Sequence, residues 1–327
     1  TPGGPGRLTL ARPHHDWHRS QMGPMPANDD SQHFVRVRQD IETPLTTLRT
    51  EPGMALYLYA RSGDSVSAGT VGQDYVAFQH NRTNLTFAVC DGVGQSFMGD
   101  LAARIVGDGL NDWLWALDRP TDEQDFAQQV TEALNELTET SAGQVTAYQL
   151  PAHLPAIVMQ ALEMQRRYGS EAMFVAGRIA LDGPDPWVAL CWLGDAPVAA
   201  IDIDGKLVDL GPHGRTSERW NATTGVKGTV HTWVGSARHV ARVAGYTDGL
   251  SMGHGNVPTD ADLERLMKLW ATDPPSDDAS LFDVRLAPSP ATTGQKLLPA
   301  PVVPAEQQPG PIEARPIELP DGERTPI

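Results

Sequence analysis

The chain has 327 residues, enough for one large domain or two ordinary ones, and 40% of them are hydrophobic. Its 25 basic and 41 acidic residues give a formal net charge of −16, which argues against binding to nucleic acid or to anionic lipid surfaces. The sequence shows no signal peptide and no apolar run of membrane-spanning length. These features predict a cytoplasmic protein that binds neither nucleic acid nor membranes.

The two ends of the chain differ in composition from its middle. Residues 1–45 are rich in Pro, Gly, His and Gln without a sustained period, which predicts a disordered N-terminal arm. Its His14, His15 and His18 either chelate a metal or are simply part of a polar arm. Residues 288–327 combine many prolines with few aromatic side chains, which predicts a disordered tail or linker. Residues 46–287 are therefore predicted to form one domain.

The middle of the chain contains short apolar runs typical of strands and longer runs with helical spacing. Strands are predicted at residues 85–90, 172–179, 188–193, 198–203, 239–246 and 279–286. Helices are predicted from Gly99, from a capping-box pattern at Thr121 and Gln124, from Pro155 to Tyr168 before Gly169, and after Thr259 or Asp260. Because strands and helices do not alternate regularly, the fold class is predicted to be α+β, with helices covering largely antiparallel sheets.

Aspartates recur at the ends of the predicted strands, several of them beside a glycine. Asp91, Asp195 and Asp248 follow three of these strands, Asp277 precedes another, and Asp74 lies at the start of a further apolar run. A single Asp-Gly pair is typical of a hairpin turn. Several carboxylates brought to one rim would repel each other unless a cation neutralised them, and all-oxygen ligands favour Mg²⁺, Mn²⁺ or Ca²⁺ over zinc. The pattern therefore indicates a site for divalent cations.

The segments around these aspartates resemble a known family. DGVGQSFMGDLAA, which begins at Asp91, resembles the DGxGG-containing signature of the metal-dependent protein phosphatases of type 2C. The family's other elements are resembled, in order along the chain, by GQDYV, GSEAMFVAGRIAL, WLGDAPV, YTDGL and SDDASLFDVRL. The resemblance covers roughly residues 55–287 and is to bacterial-like members.

The resemblance implies a four-layer αββα sandwich of two mostly antiparallel sheets flanked by helices, with the metals in a cleft at one end. Carried over by motif, Asp91 would bridge two Mg²⁺ or Mn²⁺ ions, and the carbonyl of Gly92 would ligate the second ion. Asp248 and Asp277 would complete the first ion. These assignments make Asp91, Asp248 and Asp277 the predicted catalytic residues.

Two further aspartates are assigned by the same resemblance. Asp74 would hold a water molecule bound to the metal, and Asp195, together with Asp248, would match an optional third metal position. The implied reaction is hydrolysis of phosphoserine or phosphothreonine in proteins by a water that bridges the two ions. The implied partners are a phosphoprotein substrate and a cognate Ser/Thr kinase.

The sequence departs from the family pattern mainly where the substrate would bind. Gly69 stands at the position of an arginine that clamps the substrate phosphate in many members, and Glu171 replaces a usual threonine. Arg61, Arg215 or Arg219 either replaces that arginine or is an ordinary surface residue.

The segment between Asp195 and Asp248 is where relatives carry a variable flap beside the cleft. Arg219, Trp220 and Asn221 therefore either shape access to the cleft or, in the case of Trp220, pack under a loop.

Three functions stay open at this level. The chain is an active phosphatase, a phosphatase-fold module that binds phosphoproteins without efficient catalysis, or a scaffold whose acidic turns are coincidental. The missing arginine at Gly69 favours the second, whereas retention of Asp91, Asp248 and Asp277 favours the first.

Overall fold

A computed structural model of the chain describes residues 31–286, except for residues 51, 153, 251 and 253–256. The predicted metal-chelating histidines of the N-terminal arm and the proline-rich segment 288–327 lie outside the described residues. Across the described part, none of the helices has the length and apolar character needed to span a lipid bilayer.

The described residues form thirteen strands and five α-helices. The strands are β1 His33–Arg36, β2 Thr43–Thr50, β3 Gly53–Ala60, β4 Tyr75–His80, β5 Asn84–Gly92, β6 Glu171–Ala180, β7 Trp187–Leu193, β8 Val198–Asp202, β9 Arg219–Asn221, β10 Gly225–Lys227, β11 His231–Ser236, β12 Val240–Tyr246 and β13 Ala279–Leu286. The helices are α1 Gly63–Ala68, α2 Gly99–Ala116, α3 Glu123–Ala147, α4 Ala156–Arg166 and α5 Asp260–Trp270.

The strands form two antiparallel sheets. Sheet A has the order β1-β4-β5-β6-β7-β11, and β9 extends it by pairing with the beginning of β6 and with β10. Sheet B has the order β2-β3-β13-β12-β8. The two sheets pack face to face through alternate apolar side chains, as expected when each strand buries one face. This inner core includes Val76, Phe78, Phe87, Val89, Val175, Val243, Phe282 and Val284.

Helices cover both outer faces. On sheet A, α2 and α3 supply buried side chains such as Val106, Leu110 and Phe126. On sheet B, Leu263 of α5 packs against Leu58 and other residues of the sheet. The architecture is the predicted α+β sandwich with layers in the order helix, sheet, sheet, helix.

The ordered domain begins earlier than the sequence predicts. β1 lies within residues 1–45 and pairs with β4, and the predicted boundary at residue 46 falls inside β2. Both strands mix polar and apolar residues and are only partly buried, so they lack the continuous apolar run that predicts strands such as β5 and β7.

Helix ends follow local signals. Of the two predicted caps of α5, Thr259 and Asp260, the structure has Thr259, which forms a capping box with Asp262. At α3 the cap is Asp122 rather than Thr121, because the Asp122 side chain accepts a hydrogen bond from the amide of Asp125. Gly169, after α4, adopts the left-handed conformation expected at that position, with φ of 89°.

Candidate metal and phosphate site

The end of β5 carries the first two predicted site residues, Asp91 and Gly92. Asp74 precedes β4, whose first residue Tyr75 pairs with Cys90, so Asp74 comes beside Asp91 across the ladder. A Cβ atom on Gly92 would lie 2.5 Å from the carbonyl oxygen of Gly99, so only glycine fits at this point. Sheet A therefore brings Asp74, Asp91 and the backbone of Gly92 together.

Asp195 reaches the same end of sheet A from β7. The register pairs Asp91 with Met173, and a Cβ on Gly194 would lie 2.4 Å from the Met173 side chain. Asp195 thus lies beside β6, with Met173 between it and Asp91. Its Oδ1 atom is buried and has no hydrogen-bond partner among the described residues. A buried carboxylate oxygen without a partner requires a donor or a cation.

Sheet B delivers Asp248 and Asp277. Asp248 begins a 3₁₀ turn after β12, and Asp277 lies two residues before β13. The two strands remain paired to this end, where the Thr247 amide donates to the Ser280 carbonyl at 3.0 Å. A Cβ on Gly249 would lie 1.9 Å from the Asp278 carbonyl oxygen, so the turn is pressed against the residue that follows Asp277. Asp248 and Asp277 therefore lie at one end of sheet B.

Two buried polar side chains join the sheets at this end. The Thr247 hydroxyl donates to Asp74 Oδ2 at 2.7 Å and accepts from the Ser280 amide at 2.8 Å. The Asp278 carboxylate accepts from the amide of Ser62 at 2.6 Å and from the amide of Gln73. These bonds hold the carboxylates of sheet B opposite those of sheet A.

Thr247 and Asp278 were not assigned a role from the sequence. Each is a buried polar residue next to a predicted ligand in the sequence. A buried polar side chain needs a hydrogen-bond partner, but the sequence does not reveal which residue that partner is, because the partner lies on a distant segment of the chain.

Burial and the charges of neighbouring carboxylates raise the pKa of three of these aspartates. Burial raises the pKa of Asp91 well above its usual value, and the charges of its acidic neighbours add to the effect; these neighbours are Asp74, Asp248, Asp277 and Asp195. Burial likewise raises the pKa of Asp74, opposed by the Thr247 hydrogen bond. For Asp277, burial raises the pKa, and the charge of Asp248 adds to it. All five predicted aspartates therefore belong to one electrostatic cluster.

The cluster fits a divalent cation in its donor chemistry. Its donors are carboxylate and carbonyl oxygens, and the buried Oδ1 of Asp195 lacks a partner in the described structure. The spacing is less favourable: among the described residues, no three His, Cys, Asp or Glu side chains are close enough together to hold a metal ion. The ligand assignments from the sequence therefore stay predictions, whereas the convergence of the residues is observed.

The raised pKa values predict how stability depends on pH in EDTA. The folded state holds a proton on Asp74 to a higher pH than the unfolded state does. The contribution of Asp74 to folding stability is therefore fully present at low pH and is lost as the pH rises from about 3.8 through the raised pKa. We expect the variant Asp74→Asn to become more stable than wild type as the pH rises towards neutral. Urea unfolding of both proteins across this range measures the difference; a difference that does not change with pH would contradict the buried, proton-retaining carboxyl.

Comparison with known proteins decides the family. The family model described as protein phosphatase 2C matches residues 63–279, which is more than half of the chain. The chain belongs to the protein phosphatase 2C family.

Several solved structures also match the chain, at low identity and with TM-scores below 0.5. RsbX in complex with magnesium gives a TM-score of 0.48 at 12% identity, covering 74% of this chain and 100% of that chain. Serine/threonine phosphatase Stp1 from Staphylococcus aureus gives 0.43 at 11% identity, covering 83% and 99%. The catalytic domain of PstP in complex with two manganese ions gives 0.41 at 15% identity, covering 78% and 98%. No curated protein matches the chain in sequence.

Gly69, which stands where many family members have a phosphate-binding arginine, faces open space. Gly69 ends α1 in the left-handed conformation, and a Cβ there would meet nothing within 4 Å. Of the three arginines considered as substitutes, Arg61 donates to Glu42 at 2.7 Å and to the Thr70 carbonyl at 3.0 Å, whereas Arg215 is exposed. Arg219 forms an ion pair with Glu171 at 3.0 Å.

The hypothesis that Trp220 shapes access to the cleft is wrong. Trp220 is fully buried among the side chains beneath α3, and its indole nitrogen donates to the Thr138 hydroxyl at 3.0 Å. Because side chains alternate along β9, the burial of Trp220 on the helix side directs Arg219 and Asn221 to the opposite side of sheet A.

Proposed function

We propose that this member of the phosphatase 2C family is a metal-dependent phosphomonoester hydrolase that acts on phosphoserine or phosphothreonine in proteins. The observation that supports this most directly is the convergence of acidic residues from both sheets at one end of the sandwich. Carboxylates that raise one another's pKa favour the binding of cations, since a cation removes the repulsion between them.

The proposed ligand roles follow the position of each residue. Asp91 is acted on by the charges of both sheets, which fits a carboxylate shared between two Mg²⁺ or Mn²⁺ ions, with the Gly92 carbonyl on the second ion. Asp248 and Asp277 would hold the first ion. Such ions, when bound, activate water and neutralise charge on the phosphoryl oxygens.

The remaining predicted residues support this arrangement. Asp74 is held by the Thr247 hydroxyl, so its carboxylate is fixed beside Asp91. Asp195 offers its unpartnered oxygen for a third ion with Asp248. Asp278, through the amides of Ser62 and Gln73, fixes the two backbone segments that carry the site.

The proposed partners are a phosphoprotein substrate and a cognate Ser/Thr kinase, and the proposed compartment is the cytoplasm. The phosphatase-like domain would comprise residues 46–287 together with the preceding strand β1, and the segment after it is proposed to be a disordered tail or linker. The net charge of −16 is consistent with the absence of nucleic-acid binding.

A phosphoprotein-binding module with little catalysis is the second candidate. Its support is the lack of an arginine at Gly69 and the spacing of the carboxylates, which does not form a ready coordination group among the described residues. The two candidates differ in turnover but not in fold.

Removal of metal tests the choice. We expect wild-type protein to hydrolyse p-nitrophenyl phosphate with Mn²⁺ or Mg²⁺. In EDTA the rate should fall by at least about 100-fold, and excess Mn²⁺ should restore it. Circular dichroism in EDTA controls for loss of fold. Metal binding without turnover in a calorimetric titration would support the binding module, and neither binding nor turnover would support a plain scaffold.

A further inference from the structure

The strand β9 carries Arg219 at the end of sheet A where the acidic cluster lies. In sheet A, Asp91 of β5 pairs with Met173 of β6. On the other side of β6, Ala172 pairs with Trp220 of β9, while on the β5 side the same residue pairs with Gly92. Adjacent strands lie about 4.8 Å apart, so the backbones of Gly92 and Trp220, the chain neighbours of Asp91 and Arg219, lie about 10 Å from each other.

Arg219 and Asp91 also lie on the same side of sheet A. Val89, two residues before Asp91, is in the core between the sheets, so Asp91 continues that face at the strand end. Trp220 is in the core beneath the helices, so its neighbour Arg219 is on the face opposite to the helices. The arginine therefore lies on the face that carries the predicted metal ligands.

The guanidinium of Arg219 is oriented but not fully satisfied. Its Nη1 donates to Glu171 Oε2 at 3.0 Å, and Glu171 Oε1 also accepts from the side-chain Nδ2 of Asn221 at 3.1 Å. Glu171 is itself tied to the loop after β5, because its carbonyl accepts from the Val93 amide at 2.9 Å. The Nε of Arg219 is buried and has no acceptor within the described residues. A buried guanidinium donor without an acceptor is unfavourable until an anion or a water molecule supplies one.

The other two arginines are less suited to this role. Both the Nε and Nη1 of Arg61 already have acceptors, the Glu42 carboxylate and the Thr70 carbonyl, which direct the side chain towards β2 and the end of α1. Arg215 is exposed on the connection before β9.

We propose that Arg219, positioned by Glu171, binds the phosphoryl group of the substrate and so replaces the arginine that is absent at Gly69. This inference rests on the proposed function for the site but concerns recognition of phosphate rather than its hydrolysis. It also accounts for two departures from the family pattern together, since Glu171 is the residue that holds the arginine in place.

The expected effect follows from the strength of a hydrogen bond to a charged group, which corresponds to roughly 10- to 100-fold in binding. We expect Arg219→Met to raise the KM for p-nitrophenyl phosphate by at least about 10-fold and to weaken inhibition by inorganic phosphate equally. The kcat should change by less than about threefold. Arg219→Lys should recover part of the loss, because lysine keeps the charge but not the forked donors.

Arg215→Met is the matched control, since it removes a nearby exposed arginine and should behave as wild type. Titration of inorganic phosphate into the Mg²⁺-loaded protein by calorimetry gives a readout that does not require turnover. Phosphate binding that depends on Arg219 would support the inference even if wild type hydrolysed nothing, in which case only the proposed reaction would fail.

Three outcomes would overturn the role of Arg219. They are phosphate binding that is equal in Arg219→Met and Arg215→Met, absence of phosphate binding to wild type, and a loss of Mn²⁺ affinity in Arg219→Met as large as its loss of phosphate affinity. The last would show that the ion pair only maintains the local structure. Arg219→Lys keeps the test available if the methionine variant does not fold.

Discussion

Replacing Asp91 with alanine is expected to reduce metal-dependent hydrolysis of p-nitrophenyl phosphate by at least about 100-fold. Asp91 lies at the end of β5, where burial and then the charges of four other aspartates raise its pKa. In the proposed site it is the carboxylate shared by both ions, so its removal takes a ligand from each. The measurement is kcat at saturating Mn²⁺, with Asp118→Ala, an exposed aspartate after α2, as the control.

The same variant should not lose stability in EDTA. Removing a buried carboxylate from a repulsive cluster relieves repulsion at neutral pH, so the metal-free Asp91→Ala protein should unfold at the same or a higher urea concentration than wild type. Opposite signs for activity and metal-free stability are characteristic of a functional site. Equal turnover by the variant and wild type would reject the proposed role of Asp91.

Replacing Phe282 with alanine should lower the free energy of unfolding by about 3–5 kcal/mol. Phe282 of β13 is fully buried between the sheets, and its ring centroid lies 4.9 Å from those of both Phe78 and Phe87. Its loss would leave a cavity where the two sheets meet, and strands packed on both faces cannot collapse easily to fill it.

Urea unfolding monitored by circular dichroism measures this change. Leu269→Ala is the matched control, because Leu269 on α5 is a large apolar residue that is 52% exposed and should cost less than about 0.5 kcal/mol. A loss below about 1 kcal/mol for Phe282→Ala would mean that the inner core does not depend on this ring.

The strongest sequence signals matched the structure because they report on burial that is local to one element. The run 279–286 is β13 itself, and the run 188–193 lies within β7, which is buried throughout. Several strands are not predicted: β1 and β2 mix polar and apolar residues, β9 and β10 have only three residues each, and β3 and β11 are missed although β3 is largely apolar. The position of β9 depends on its pairing with β6, far away in the sequence, which local periodicity does not encode, whereas β2 pairs with its sequence neighbour β3.

An apolar run followed by Asp beside Gly is a local pattern, so the aspartates at strand ends can be predicted from the amino-acid sequence. The way the strands fold together sets three further features: Thr247 binds Asp74, Trp220 lies in the core, and Arg219, unlike Arg61, has a buried donor without a partner in the described residues. These features depend on register, because a shift of one residue between paired strands moves a side chain to the other face of the sheet.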